Sequence, residues 1–356
     1  MLGFYSGKKV FITGHTGFKG SWLCKMLSSA GAEVTGYALE PPTNPSLFRL
    51  ARIDKDIRSV VGDIRDYRTL KKVFDEAEPE FVFHLAAQPI VREGYKNPVY
   101  TYETNVMGTV HILECLRNSD CVKSFLNVTT DKVYKNKEWE WGYRENEELD
   151  GFDPYSNSKS CSELVTHSYK KAFFTKEDGT AKVLVSTARA GNVIGGGDFA
   201  EDRIIPDCVR AAVSGKEVIV RNPFSVRPYQ HVLEPLYVYL LIVAKQCENH
   251  KLAGSYNVGS DGRDCLETGR LVDLFIKFWG DGMRWVSRYD GGPHEANFLK
   301  LDSSKLKSSF GWETHWGIET AVLKTVEWSK AWVNGENVRE CMDMQIEEFF
   351  RIKTKA

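Results

Sequence analysis

Short apolar runs alternate with longer amphipathic stretches through the first half of the chain. The apolar runs predict buried β-strands at residues 8–13, 33–38, 57–61, 81–85, 124–128 and 182–187. The amphipathic stretches predict helices at residues 21–30, 67–76, 99–117 and 155–172. Strands and helices that alternate in this way form a parallel sheet covered by helices on both faces. The pattern therefore predicts an α/β fold with a doubly wound parallel sheet of the Rossmann type.

The pattern changes after about residue 190. The apolar and amphipathic segments become shorter, and Gly, Pro and aromatic residues become more frequent. We therefore expect residues 1–190 to form the Rossmann domain, with later core strands interleaved, and residues 191–356 to form mainly a smaller C-terminal lobe. Since no linker separates the two parts, we expect them to share an extensive interface.

Composition restricts the class of partner. A chain of 356 residues is long enough for one large domain and a smaller lobe, and its net charge of −1 gives no electrostatic case for binding nucleic acid or an anionic membrane. The longest apolar run, residues 236–244, is too short to span a bilayer, and the N-terminus lacks the apolar segment of a signal peptide. The eight cysteines form no Cys-x-x-Cys pair, so we expect no metal site and no disulfide framework. These features predict a cytoplasmic protein with a small-molecule partner.

A glycine-rich loop joins the first predicted strand to the first predicted helix. Its spacing is Gly-x-x-Gly-x-x-Gly, one residue longer in the first gap than the commonest dinucleotide-binding fingerprint. A glycine loop alone is a weak signal, but this one lies between a strand and a helix, where the backbone can approach a pyrophosphate and the helix N-terminus can stabilise its charge. We expect the dinucleotide to be held by Gly14, His15, Thr16, Gly17, Phe18, Lys19 and Gly20.

Further positions at the carboxyl ends of strands fit dinucleotide contacts, because ligands bind at those ends in open α/β sheets. The residues are Asp63 and Ile64, for the adenine edge, and Leu85, Ala86, Ala87 and Gln88, which follow the fourth strand. A helix cap and ordinary close packing are the alternative interpretations. Glu40 lies about 20 residues past the glycine loop, where an acid can hold the ribose hydroxyls of NAD, or it is a simple loop charge.

Tyr155 and Lys159 are the strongest catalytic candidates. Asp153 and Pro154 are typical of the cap and first residue of a helix, which places Tyr155 and Lys159 one turn apart on the same face. A lysine ammonium near a phenol favours the phenolate, so we expect the pKa of Tyr155 to be lowered toward the range of a general base. With Thr130 at the end of the fifth strand, the set would remove a hydroxyl proton as a hydride leaves the same carbon for nicotinamide. The alternative is a surface Tyr/Lys pair.

Several stretches carry a resemblance to a known family. They are residues 13–20, 84–89, 104–109, 129–134, 155–159 and 188–198. Over nearly its whole length the chain resembles the nucleotide-sugar branch of the extended short-chain dehydrogenase/reductases, and within that branch the CDP-glucose 4,6-dehydratases. Asp131-Lys132 is the discriminating pair, because relatives that dehydrate dTDP-glucose carry Asp-Glu there.

The resemblance implies a closed redox cycle on CDP-glucose. A hydride leaves sugar carbon 4 for NAD, water departs across carbons 5 and 6, and the hydride returns to carbon 6, so NAD should stay bound through turnover. Asp131 would protonate the leaving hydroxyl, and Lys132 would act as a base or proton relay, or else form only an ion pair with Asp131. The resemblance also implies a homodimer or homotetramer.

The C-terminal lobe would then bind the sugar nucleotide. Asn192, Arg227 and His294 match positions that line the site in the family, and Arg203 and Arg221 are weaker candidates that are alternatively solvated surface charges. Arginine suits a diphosphate because its planar fork donates two parallel hydrogen bonds. Arg227 ranks highest, because residues 225–228 precede a predicted helix as the family's phosphate-binding arginine does.

Three other functions compete with this interpretation. A nucleotide-sugar 4-epimerase would share the fold, the glycine loop and the Tyr/Lys pair, but it would not need Asp131-Lys132. Another nucleotide-sugar dehydratase would differ in its base or sugar. A non-catalytic NAD-sensing protein would keep the loop but could lose Tyr155.

Overall fold

The computed structural model describes residues 1–260, 264–289, 291 and 298–351, with a seven-stranded parallel sheet at the centre. Numbered in chain order, its strands are β1 (Lys9–Thr13), β2 (Glu33–Ala38), β3 (Arg58–Val61), β4 (Phe81–His84), β5 (Ser124–Thr130), β6 (Leu184–Ala190) and β10 (Ser255–Val258). The order across the sheet is β10-β6-β5-β4-β1-β2-β3, so the winding reverses between β1 and β4. The predicted Rossmann-type parallel sheet is confirmed.

The predicted strands match the observed ones closely. The strand predicted at residues 33–38 has the same bounds as β2. Each of the other five predicted strands starts and ends within three residues of the observed strand. All four residues of β4 are buried, as are all seven of β5, so neither strand shows the alternation of apolar and polar residues that is typical of a sheet with one exposed face.

Helices cover both faces of the sheet. On one face α1 (Phe18–Ser29) and α9 (Leu233–Glu248) contribute to a large apolar cluster. On the other face α3 (Tyr67–Ala77), α6 (Gly108–Arg117) and α7 (Pro154–Tyr169) close a second cluster. The central strands are therefore buried on both sides, as a doubly wound fold requires.

Helix boundaries were predicted less well than strands. The stretch predicted as one helix over 99–117 is α5 (Pro98–Tyr102), a π-helical turn and then α6, and a second π-helical turn extends α7 to Phe174. The short helices α2 (Leu47–Leu50) and α4 (Val91–Lys96) were not predicted, because so few residues give little helical periodicity.

The C-terminal part builds two small sheets and a third apolar cluster. Strands β7 (Asn192–Ile194), β9 (Val226–His231) and β11 (Cys265–Glu267) form one sheet, and β8 (Val218–Val220) pairs with β12 (Trp285–Ser287). The remaining helices are α8 (Ile204–Ser214), α10 (Thr268–Trp279), α11 (Ser304–Phe310), α12 (Ile318–Val333) and α13 (Val338–Arg351). Within the described ranges, no helix combines the length and apolar character needed to cross a bilayer.

The two parts of the chain are interwoven. Helix α9 packs against β5 and β6, and β10 then extends the main sheet beyond β6. The chain thus leaves the main sheet after β6, forms part of the lobe and returns. The division at residue 190 stays a prediction.

A buried histidine at the end of β4 forms hydrogen bonds with one residue of β1 and one of α6. His84 Nδ1 lies 2.7 Å from Thr13 Oγ1, and His84 Nε2 lies 3.1 Å from Thr109 Oγ1. The Thr109 hydroxyl donates to the Asn105 carbonyl, so it accepts from Nε2, and Nδ1 is left to accept from Thr13. Burial, aided by the charge of Lys159, lowers the pKa of His84 to about 3. The folded protein therefore holds this ring neutral.

Acidification should therefore destabilise the fold through His84. Because the folded-state pKa lies below the unfolded value of about 6.5, the unfolded state binds more protons between these values, and stability falls as pH falls below about 6.5. We expect one such histidine to cost about 2 kcal/mol between pH 7 and pH 5. Urea unfolding of His84→Asn across this range should show a shallower pH dependence than the unmodified protein. His250→Asn, at an exposed position, is the matched control, and equal slopes in all three proteins would contradict the assignment.

Candidate active site

A cleft of about 1720 Å³ lies along the carboxyl ends of the main strands, and residues of the C-terminal lobe close its other side. It brings together most of the predicted site. Lining it are Gly14, Thr16, Gly17, Phe18, Lys19, Gly20, Glu40, Asp63, Ile64, Leu85, Ala86, Ala87, Gln88, Thr130, Asp131, Lys132, Tyr155, Lys159, Asn192, Arg203, Arg221 and Arg227. The described residues contain no group of three or more side chains placed to hold a metal ion.

The glycine loop has the form that a pyrophosphate needs. Gly14 has φ +78°, and a Cβ there would lie 2.7 Å from the Ala86 backbone nitrogen, while a Cβ on Gly20 would lie 2.2 Å from the Gly14 carbonyl oxygen. Packing therefore requires both glycines. A Cβ on Gly17 would meet only the Gly14 oxygen, at 3.5 Å, so packing does not explain this third glycine. Its missing side chain leaves the cleft open at the N-terminus of α1, where backbone N–H groups lack helical partners.

His15 does not line the cleft, although the sequence placed it among the dinucleotide contacts. Its side chain is fully buried beneath the loop, with Nε2 2.7 Å from Ser59 Oγ and its ring edge-on to Phe48. Burial lowers the pKa of His15 to about 4. The glycine-loop motif predicts the path of the backbone, but it does not predict whether a given side chain faces the cleft or the protein interior.

Other predicted dinucleotide contacts already have protein partners. The Asp63 carboxylate pairs with Arg65, with a shortest distance of 2.7 Å, and Asp66 rather than Asp63 caps α3. Glu40 Oε2 lies 3.1 Å from Arg49 Nη2, and both side chains are exposed. Asp63 and Glu40 both line the cleft, each paired with an arginine.

The helix that carries the Tyr/Lys pair begins as predicted. Asp153 is its N-cap, accepting a hydrogen bond from the Ser156 backbone nitrogen at 3.0 Å, and Pro154 is its first residue. Tyr155 and Lys159 are both buried and line the cleft.

The pKa of Tyr155 differs from the expectation. Burial raises it to about 12, and hydrogen bonding to Thr130 offsets only part of that effect. The Lys159 ammonium donates to the Val128 carbonyl at 2.9 Å, and burial lowers the pKa of Lys159 to about 8. The prediction that Lys159 lowers the pKa of Tyr155 is therefore wrong for this structure, because the lysine is itself desolvated and held by the end of β5.

Asp131 is the most unusual group in the cleft. Its side chain is 1 % exposed, and Oδ1 accepts a hydrogen bond from Thr130 Oγ1 at 2.9 Å. Its other oxygen, Oδ2, is buried and has no hydrogen-bond partner in the described part of the chain. Lys132 Nζ lies 3.7 Å from Oδ1, with its side chain 31 % exposed. The ion pair with Asp131, which the sequence analysis gave as an alternative role for Lys132, is present. Lys132 is not buried, however, and burial was the condition for it to act as a base.

Lys19, one of the predicted dinucleotide contacts, is half-buried in the wall of the cleft. Burial lowers its pKa to about 7, and the nearby charges of Arg203 and Lys159 add to the effect. The loop motif predicted only a backbone role for this residue. Its neighbours come from distant parts of the chain, so no local signal could have revealed the cluster.

The arginines of the cleft are held by acids that the sequence analysis missed. Arg203 Nη1 lies 2.8 Å from Asp198, and Arg221 Nη1 lies 2.5 Å from Asp202. Arg92, also not predicted, lies 3.8 Å from Asp202 and lines the same cleft. These pairs orient guanidinium groups toward the C-terminal side of the cleft, where an anionic ligand would meet them.

Arg227 and Asn192 lie on paired strands. Arg227 is 6 % exposed within β9, and Asn192 begins β7 opposite Tyr229 of β9. Residues 225–228 were expected to precede a helix; β9 runs on to His231, and α9 begins at Leu233. His294 lies outside the described residues.

The fold and the cleft define an α/β protein of the Rossmann type with a C-terminal lobe, and comparison with known proteins gives the family. Residues 11–325 match the family described as GDP-mannose 4,6 dehydratase, and the chain belongs to that family. It is 46% identical over 354 residues to the CDP-glucose 4,6-dehydratase of Salmonella typhimurium, covering 99% of both chains. It is 28% identical to a probable dTDP-glucose 4,6-dehydratase of Sinorhizobium fredii, covering 90% of this chain and 92% of that one. The predicted resemblance is confirmed.

Solved structures share the fold at lower identity. The dTDP-glucose 4,6-dehydratase of Bacillus anthracis, solved in complex with NAD, has a TM-score of 0.72 at 22% identity and covers 90% of this chain and 96% of its own. The UDP-glucose 4-epimerase of Thermotoga maritima, solved with UDP-glucose, has a TM-score of 0.79 at 22% identity and covers 91% and 99%. Since dehydratases and epimerases both match, the fold does not separate the two activities.

Proposed function

We propose that this protein catalyses the NAD-dependent dehydration of CDP-glucose to CDP-4-keto-6-deoxyglucose. The observation that carries the proposal is the buried Asp131 carboxylate beside Thr130 and Tyr155, with one oxygen unpartnered among the described residues. A dehydratase needs an acid at this point to protonate the departing hydroxyl group, whereas an epimerase, which only inverts the configuration at carbon 4, does not. The 46% identity to a CDP-glucose 4,6-dehydratase along the whole chain supports the choice of substrate.

NAD would be held along the strand ends. The open backbone at Gly17 and the N-terminus of α1 would bind its pyrophosphate. Asp63 would contact the adenine edge, and Glu40 would hold the ribose hydroxyls. The small residues Ala86 and Ala87 leave room beside β4 for the rest of the cofactor. When bound, NAD supplies the hydride acceptor for sugar carbon 4 and the hydride donor for carbon 6.

Tyr155 would accept the proton of the carbon 4 hydroxyl. Its oxygen lies in a pocket where Thr130 hydrogen-bonds to it and the charge of Arg203 favours its phenolate form. Burial opposes that ionisation, so the cations around the cleft matter for activity. Lys159, fixed on the Val128 carbonyl, would position the ribose and the phenol rather than move the proton itself.

Asp131 would deliver a proton to the departing carbon 6 hydroxyl. Oδ1 is fixed by Thr130, which leaves Oδ2 to carry that proton. The carbon 4 ketone makes the carbon 5 proton acidic. Lys132, whose ammonium lies 3.7 Å from Asp131 and is not buried, is the candidate to relay that proton rather than to act as the base itself.

The diphosphate of the substrate would lie on the lobe side of the cleft. Arg227 is the primary candidate because it is buried in a strand that opens on the cleft, and Asn192 is its neighbour on β7. Arg203 and Arg221 are held by acids, which orients their remaining N–H donors. A contact from His294 stays a prediction.

The epimerase alternative is supported by the fold alone. An epimerase would use Tyr155 and Lys159 in the same way, and the Thermotoga maritima enzyme matches this chain with a TM-score of 0.79. It would leave the buried Asp131 oxygen without a use.

We propose that the protein is a homodimer built through neighbouring helices, and that it acts in the cytoplasm as the sequence predicts. Large apolar side chains are exposed on α5, on the adjoining π-helical turn and on α7, which pack side by side. They are Val99, Met107 and Leu164. A contiguous apolar patch on a protein surface marks an interaction site, and we propose that these side chains form such a patch.

A direct assay should show conversion of CDP-glucose. We expect the purified protein with NAD to form a product that has lost one water molecule and contains a ketone, detected by mass spectrometry and by alkaline absorbance. UDP-glucose and dTDP-glucose are the control substrates. Formation of CDP-galactose without loss of water would favour the epimerase.

Asp131→Asn should separate oxidation from elimination. The asparagine is nearly isosteric but delivers no proton, so the variant should accumulate CDP-4-ketoglucose, two hydrogen atoms lighter than the substrate with its carbon 6 hydroxyl retained. Tyr155→Phe is the matched control: it lacks the ionisable oxygen, should slow turnover by about 10²–10⁴-fold, and should form neither species at an appreciable rate. Full activity of Asp131→Asn would remove Asp131 from the mechanism.

The proposed dimer predicts a defined mass in solution. Sedimentation velocity should give twice the 40.4 kDa of one chain, and Leu164→Asp should shift the protein toward the monomer because it places a charge in the apolar interface. Leu39→Asp, at an exposed position outside this face, is the control. A monomer at micromolar concentration would contradict the proposal.

A further inference from the structure

A second cavity, of about 560 Å³, lies between the C-terminal half of α7 and the start of β10. It shares no lining residue with the catalytic cleft. Its volume is within the range of about 300–1,000 Å³ that is typical of small-molecule sites. The charged side chains that line it are Arg144, Glu145, Glu163, His167, Lys170, Lys171, Asp302 and Lys305.

Two lysines reach this cavity from different parts of the chain. Lys170 Nζ donates to the Ala253 carbonyl at 2.9 Å, and Lys305 Nζ donates to the Ser255 carbonyl at 2.8 Å. Both ammonium groups are thus fixed to the same short stretch of backbone. Neither has a carboxylate within 4.0 Å in the portion of the chain that the structure describes, and each has two further N–H donors.

The environment of these lysines disfavours their charge. Burial lowers the pKa of Lys170, and the charge of Lys305 lowers it further. Partial burial also lowers the pKa of Lys305, the charge of Glu145 opposes that effect, and the charge of Arg189 adds to it. A bound anion would favour the charged form of both lysines, because an opposite charge nearby stabilises an ammonium group.

The acids of the cavity wall are engaged elsewhere. Glu163 accepts from Arg189 at 2.9 Å and from Thr187 at 2.8 Å. Glu145 accepts from the Asn257 backbone nitrogen at 2.9 Å, and Asp302 accepts from the Ser304 backbone nitrogen at 2.8 Å. Lys171 and His167 add positive or ionisable groups at the rim. Besides His167, the wall carries four basic and three acidic side chains, so the cavity has a small excess of positive charge.

We infer that this cavity is a second ligand site, and that it binds a phosphorylated small molecule between Lys170 and Lys305. Lysine binds phosphate as a point charge with rotatable donors, and two ammonium groups fixed on neighbouring carbonyls match the several oxygens of a phosphate or diphosphate. The size of the cavity admits a ligand larger than the phosphate itself. No residue of the catalytic cleft lines this cavity, so the second site is independent of the proposed reaction.

Lysine labelling of the unmodified protein tests the site without any risk of misfolding. The protein is acetylated with acetic anhydride in the presence and in the absence of inorganic pyrophosphate, and peptide mass spectrometry measures the rate at each lysine. We expect pyrophosphate to slow acetylation of Lys170 and Lys305 severalfold and to leave the exposed Lys72 and Lys216 unchanged. Equal rates with and without pyrophosphate would overturn the inference. Protection by citrate but not by pyrophosphate would also overturn it, because the ligand would then be a carboxylate.

Calorimetric titration with pyrophosphate assigns the binding to this cavity. The double variant K170Q/K305Q should bind roughly tenfold or more weakly, because it loses charge-assisted hydrogen bonds. K72Q/K216Q removes the same charge from exposed positions and should bind like the unmodified protein. R227Q should weaken only pyrophosphate that binds in the catalytic cleft and should keep the binding step that K170Q/K305Q loses. Binding that is lost in R227Q and kept in K170Q/K305Q would place pyrophosphate in the cleft and overturn the inference.

Discussion

The buried carboxylate of Glu163 joins the helix that carries Tyr155 and Lys159 to the two strands beside it. It accepts hydrogen bonds from Thr129 of β5 at 2.5 Å and from Thr187 of β6 at 2.8 Å, and it pairs with Arg189 of β6. Both members of the ion pair are almost fully buried, at 2% and 4% exposure. Removing one partner from such a pair typically costs about 3–5 kcal/mol, because the other charge is left uncompensated. The position of α7 on the sheet is therefore strongly fixed.

That fixed position determines the geometry of the catalytic groups. Thr129 precedes Thr130 and Asp131, so the anchor of α7 lies next to the group that the mechanism needs as an acid. Lys159 is fixed one turn before Glu163 by the Val128 carbonyl. The tyrosine, the lysine and the acid are thus held relative to one another by contacts between one helix and one strand. This preorganisation matters because proton transfer requires donor and acceptor to be within hydrogen-bond reach.

The sequence predicted the parts of the site that depend on backbone position. Continuous apolar runs located the strands, and the ends of parallel strands meet at one edge, so Gly14, Ala86 and Asp131 could be placed together without a structure. The cap at Asp153 was also predictable, because capping depends on residues that are adjacent in sequence.

Side-chain direction and burial could not be predicted in the same way. The inward turn of His15 and the low pKa of Lys19 both depend on residues far away in the chain. The same holds for the arginines of the cleft, whose orientation is set by Asp198 and Asp202. The expected effect of Lys159 on Tyr155 was wrong for a related reason. Helical spacing gives proximity, but it does not show that both groups are desolvated.

The late return of the chain to the main sheet has a consequence for how the protein folds during synthesis. Strand β10 and helix α9 follow β7, β8 and β9 in sequence, yet they complete the sheet edge and one of its apolar faces. Until residue 258 has been made, β6 is an open edge and the apolar surface beneath α9 is uncovered. The N-terminal part therefore cannot finish folding on its own as it leaves the ribosome. Its native state forms only together with much of the lobe, through contacts between distant segments that slow folding and expose a strand edge to other chains.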